Sequence, residues 1–144
     1  MATIKSFTSL EQSKKLAEIL PLESADMTYC AVVEGARDKT TIRGWKIVTG
    51  TKKWKVSINA IKNNYFSYRN GYIVPCWSLT ALLGVLPKEI VYDKHIVFLE
   101  FHVWENSLEY VNNADYSLYV TSSYDNPVDA CVDMIEKLHE LKML

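Results

Sequence analysis

The sequence predicts a single α+β domain spanning residues 1–144: an antiparallel sheet of about six or seven strands, a buried central helix, and one further helix at the N-terminal and one at the C-terminal side. Three observations predict it. A short, almost wholly apolar stretch, Pro75 to Pro87, is fenced by prolines; alternating and β-branched runs separated by Gly and Asn turns lie on both sides of it; and a capped amphipathic segment stands at each end. With 144 residues, 49% of them hydrophobic and 23% charged, the chain can bury a core without metals or disulfides.

The central helix follows from its own residues. The Ser78 hydroxyl can accept a hydrogen bond from a free N–H of the first turn, and Trp77 before it is placed to pack on Leu82 as a hydrophobic staple. Leu79, Leu82, Leu83 and Leu86 fall at i, i+3, i+4 and i+7, and Pro87 ends the helix by denying it the next N–H.

The other elements follow in chain order. Thr8-Ser9-Leu10-Glu11 matches a capping box, so a helix is expected from about Ser9 to Leu20, stopped by Pro21. Tyr29 to Val33 reads as a strand, and Glu34 to Thr41 as a loop. A hairpin is expected around Thr49-Gly50-Thr51-Lys52; in its second arm Trp54, Val56, Ile58 and Ala60 alternate with polar residues and should face the core. A second hairpin, Tyr65 to Arg69 with Tyr72 to Val74, turns at Asn70-Gly71, which tolerates positive φ. Beyond Pro87 a meander is expected, with strands His95 to Trp104, Ser107 to Val111 and Tyr116 to Thr121, the first two joined by a two-residue turn at Glu105-Asn106. Asn126 as N-cap and Pro127 at the first helical position open the last helix, whose apolar stripe is Val128, Cys131, Ile135, Leu138 and Leu141.

Charge is unevenly spread. From Gly35 to Arg69 there are nine Lys or Arg against Asp38 alone, whereas from Glu89 to Leu144 there are eleven Asp or Glu against three Lys, for a net charge of −1 overall. This asymmetry fits either a surface for a polyanion or two halves that neutralise each other. The three cysteines, Cys30, Cys76 and Cys131, are widely spaced and show no CxxC or metal-ligand pattern, so reduced thiols in a cytoplasmic protein without metal or cofactor are expected. No apolar run approaches the roughly 18 residues that span a bilayer, and no signal-peptide apolar region is present.

The blocks Trp77-Ser78-Leu79-Thr80-Ala81-Leu82-Leu83 with Leu86-Pro87, Asp125-Asn126-Pro127-Val128-Asp129-Ala130 with Met134-Ile135, and Ser24-Ala25-Asp26-Met27 resemble a group of small uncharacterised proteins of gut bacteria and their phages or mobile elements. The resemblance implies no activity. A phage or mobile-element origin implies a partner-binding accessory protein.

Three functional readings follow from the residues. The first is a non-catalytic module that docks a protein partner through aromatic patches, since nine tyrosines and four tryptophans are residues that anchor interfaces. The second is binding of single-stranded nucleic acid by Arg43, Trp45, Lys46, Lys52, Lys53, Lys55 and Arg69, where cations neutralise phosphates and exposed rings stack on bases. Against it stand Trp54's place in the core-facing set and a sequence pI near 6.3. The third is a cysteine hydrolase: Cys76 before a helix, then His102 or His95 from a strand, then Asn112 or Asp115, an order similar to that of papain-like hydrolases. The family's glycine-flanked cysteine motif is missing, and Ser78 as the cap leaves Cys76 outside the helix. Because His95 and His102 are seven residues apart on one strand, they point to opposite faces, and at most one can serve a site. The first reading is the one the sequence favours.

Overall fold

The computed structural model describes residues 5–34, 39–42, 45–48, 51–58, 73–102, 105–112, 114 and 118–144. Along them run α1 (Leu10–Ile19), a 3-10 turn (Leu22–Ser24), β1 (Met27–Glu34), β2 (Lys39–Ile42), β3 (Trp45–Val48), β4 (Thr51–Ser57), β5 (Ile73–Cys76), α2 (Leu79–Val85), β6 (Glu89–Tyr92), β7 (His95–His102), β8 (Ser107–Val111), β9 (Leu118–Ser123) and α3 (Pro127–Glu140).

The class is α+β, but the expected single sheet is divided. β4-β1-β5 make one antiparallel sheet, β2-β3 a separate ribbon, and β6-β7-β8-β9 a four-stranded meander. The division falls at α2, which carries the chain from the last strand of one sheet to the first strand of the other. Each larger sheet then covers its own apolar cluster. The main core joins Leu16, Trp77, Leu82, Val97, Leu108, Tyr110 and the inner face of α3; the smaller one joins Tyr29, Val74 and Cys76 with Phe7, Leu10, Met27 and Trp54.

Local chemistry explains the helix ends. Ser78 caps α2 by accepting from the Ala81 N–H at 3.2 Å, and Asn126 caps α3 by accepting from the Asp129 N–H at 2.9 Å, with Pro127 at the first position. At α1 the box is shifted by one residue from its expected place: Ser9 is the cap and Gln12 reaches back to it, because the Thr8 hydroxyl is used elsewhere. The central helix is also less buried than its composition suggests. Leu82 is buried, while Thr80 and Gly84 face solvent, since seven residues make only two turns and one side packs on α3.

The strands depart further from expectation. β3 pairs with β2 and β4 with β1, so the Thr49-Gly50 region does not join two paired arms, and Lys39 to Thr41 lie in a strand instead of a loop. Trp54 packs on the smaller core, yet Val56 is 37% and Ile58 83% exposed: among the described residues β4 has a partner strand on one side only, and Ile58 lies past its last residue, Ser57. Pro75 and Cys76 belong to β5, another edge, where a missing N–H is tolerated. β6 was not expected at all. It pairs with β7 across Asp93-Lys94, both at positive φ, a hairpin turn without glycine or asparagine. At the far side, a register shift beside Tyr110 and Val111 sets Leu118 against Val111 and Val120 against Tyr110. Leu141, assigned to the α3 stripe, is 42% exposed just past the helix end. The Asn70-Gly71 hairpin, Trp104 and Tyr116 lie outside the described residues.

Residues 5–9 tie the parts together. Phe7 bridges Ser78, the Thr8 N–H donates to the Trp77 carbonyl at 3.0 Å, and the Leu79 N–H donates to the Ser6 carbonyl at 3.1 Å. Asp129 at the start of α3 accepts from Lys5 at 2.6 Å, Gln12 at 2.7 Å and Asn126 at 2.7 Å. Burial pushes the Asp129 carboxyl up, but these three hydrogen bonds and the Lys5 charge outweigh it and hold the group below the usual carboxylate range.

Candidate functional site

Cys76 is fully buried at the end of β5, against Thr8, with Sγ 3.6 Å from the Thr8 hydroxyl and 3.7 Å from the Thr8 carbonyl oxygen. Burial pushes the thiol up, and the hydrogen bonds from Thr8, Ser13 and the Trp77 backbone offset this only in part. A nucleophilic thiol needs the opposite: access and a lowered pKa. Its hydrogen bonds run to Thr8 and Ser13, and the two candidate histidines lie in the other sheet, on β7. Cys131, fully buried in α3, is pushed up to about 12 by desolvation. Of the three thiols only Cys30 has partial access. With Ellman's reagent on the folded protein, Cys30 is expected to react first and Cys76 and Cys131 at least about tenfold more slowly, at the rate of opening. Rapid modification of Cys76, read by peptide mass, would revive the hydrolase.

His95 and His102 stand on opposite faces of β7, as their spacing requires, and His95 is exposed at its start. His102 is in company. Its Nε2 lies 3.4 Å from Glu100 Oε2, two residues earlier on the same face, and 2.9 Å from Glu109 Oε2 on β8. The register makes Glu100 the direct partner of Glu109 and His102 the partner of Ser107, so four polar side chains occupy the corners of one patch on the outer face. Glu100 and His102, two apart on one strand, share a face by alternation alone, whereas Glu109 and Ser107 come from the neighbouring strand. The two-residue turn expected at Glu105-Asn106 would set His102 opposite Glu109; the observed register sets it opposite Ser107, two positions over, which keeps the faces.

The basic region is less assembled. Arg43 and Arg69 lie outside the described residues, and Trp45, Lys46 and Lys52 are placed as strand backbone in β3 and β4. Lys53 and Lys55 are exposed on the β4 edge, a placement that also discourages edge-to-edge pairing. The ring of Trp54 is engaged: it packs on the smaller core, and the Lys14 ammonium sits 5.6 Å from its centroid.

Two further features complete the surface. A cavity of about 390 Å³ is lined by Lys5, Ser6, Phe7, Thr8, Ser9, Tyr29 and Asn126. Lys5 is spent on Asp129 and the Tyr29 hydroxyl on the Thr8 carbonyl, so its polar groups serve the fold. On the outer face of the four-stranded sheet, Val91 (65% exposed), its cross-strand partner Ile96 (56%) and Phe98 (36%) form an apolar stripe that runs along β7 into the Glu100–His102 patch. No helix among the described residues is long and apolar enough to cross a membrane.

Compared with protein-family models, with curated proteins and with solved structures, the chain matches none.

Proposed function

We propose that this chain is a non-catalytic accessory protein, of the phage or mobile-element kind its sequence resembles, that docks a protein partner on the outer face of β6 and β7. The observation that carries this reading is the contiguous stripe Val91, Ile96 and Phe98: side chains of this size exposed side by side are commoner at interfaces than on free surfaces. Its rim sets the partner's chemistry. Glu89 lies beside Phe98 across the strands, and Glu100 and Glu109 lie beyond it, so the complementary surface offers apolar anchors flanked by Lys or Arg. The buried, hydrogen-bonded Cys76 supports a role without a cysteine nucleophile.

Single-stranded nucleic acid through Lys53 and Lys55 is the second reading, supported by their exposure on an edge but weakened by the engagement of Trp54. One experiment separates the two. A photo-crosslinking phenylalanine analogue is placed at Phe98 and, separately, at Lys53, and adducts formed in cells are resolved before and after nuclease treatment. A discrete protein adduct from position 98, lost when Val91→Lys and Ile96→Lys are added, supports docking. Nuclease-sensitive adducts from position 53, with none from 98, would replace it with the nucleic-acid reading.

A further inference from the structure

We propose that Glu100, His102 and Glu109 form a binding site for a divalent transition-metal ion of the zinc or manganese class, on the strand pair that also carries the buried Ser107 hydroxyl. Four observations converge on it. Glu100 and Glu109 are direct cross-strand partners, and like charges so placed destabilise a sheet unless something positive lies between them. Their ion pairs among the described residues run to the single imidazole of His102.

The second observation is that this imidazole does not satisfy itself. His102 Nε2 is buried and makes no properly directed hydrogen bond among the described residues, although the Glu109 oxygen is only 2.9 Å away. Thirdly, Ser107, opposite His102 and only 5% exposed, also has an Oγ with no hydrogen-bond partner among the described residues. Two orphaned polar atoms on facing residues of one patch mark a place where an ion or a water is bound, since buried polar groups are otherwise paired.

The fourth observation is metric. A cation held about 2.0–2.2 Å from an imidazole nitrogen and a carboxylate oxygen sets those two atoms about 2.8–3.6 Å apart at ordinary coordination angles. The nitrogen-to-oxygen separations here are 2.9 and 3.4 Å, and the three ligand atoms all lie within 4.8 Å of one another. One imidazole with two carboxylates suits zinc, manganese or iron better than magnesium or calcium, which take oxygen alone. Three protein ligands leave a coordination position open, and the part-exposed side chains of Glu100 and His102 leave a path to it from solvent. The sequence carries no metal-ligand spacing because the ligands come from two strands.

The test uses the whole chain with Cys30→Ser, so that the half-exposed thiol takes no part, titrated with Co²⁺ by visible absorption and then with Zn²⁺ by calorimetry. One equivalent of Co²⁺ is expected to saturate the site and Zn²⁺ to displace it. His102→Ala and Glu109→Gln are each expected to weaken binding at least about tenfold, whereas His95→Ala and His139→Ala leave it unchanged. Glu109→Gln is nearly isosteric and removes one of the two facing charges, so loss of the ion in that variant, at an undiminished melting temperature, is not a folding defect. No saturable uptake would mean that His102 only bridges the two carboxylates, and uptake surviving in His102→Ala would mean adventitious binding; either overturns the site.

Discussion

Trp77→Ala is expected to lose about 3–5 kcal/mol of folding free energy, the range for truncating a large buried aromatic. Trp77 is fully buried in the main core, and its indole N–H donates to the Ser24 hydroxyl at 2.9 Å. The truncation removes the packing and leaves a void where α2 enters the core. For a chain of this length the loss corresponds to a melting temperature lower by roughly 10–15 °C. Trp77→Phe, which keeps a ring, should recover most of it. A fall of less than about 3 °C in Trp77→Ala, well below that scale, would show that the site collapses around the deletion and that Trp77 does not anchor the core.

The second large effect concerns a hydroxyl. Thr8 is fully buried, its Oγ1 accepts from the Trp77 N–H at 3.2 Å, and it lies 2.7 Å from the Ser13 hydroxyl. Thr8→Val keeps the shape and removes the polar atom, stranding the buried Trp77 N–H and leaving the Ser13 hydroxyl only the weakly bonding Cys76 thiol. At about 1–3 kcal/mol for the amide left unpaired, and about 1 for the weakened hydroxyl, a loss of roughly 2–4 kcal/mol is expected in denaturant unfolding. Thr8→Ser keeps the hydroxyl and removes one methyl, so it should cost only about 1 kcal/mol. If Thr8→Val proved no worse than Thr8→Ser, the hydroxyl would not hold the junction, and the packing of the methyl would be the whole of its role.

The fate of Thr8 also shows what a sequence can reveal. Ser78 and Asn126-Pro127 were legible as caps because each bonds within three residues of itself, and local chemistry depends only on neighbours. Thr8 carries a local capping signal too but spends its hydroxyl on a residue 69 positions away, so the cap is Ser9. Strand pairing failed for the same reason. Nothing near Trp45 says that it faces Ile42 instead of the Thr51 strand, since alternation fixes which face is wet but not which strand is adjacent. Of the Glu100, His102, Ser107 and Glu109 patch, the two residues on one strand were legible together. The two on the neighbouring strand needed the length of one turn.

The fastening of residues 5–9 bears on how the chain matures in time. Lys5 finds Asp129 across 124 positions of sequence, and Thr8 finds Trp77 across 69. At synthesis rates of about 5–20 residues per second, the first of these contacts waits roughly 6–25 seconds for its partner to be made. Until α3 has left the ribosome, α1 and the three-stranded sheet lack the clamp that joins them to the rest. Contacts this distant in sequence also slow the search for the native state. The clamp at the start of α3 therefore closes only once α3 has emerged, and a nascent chain halted before Asp129 lacks it.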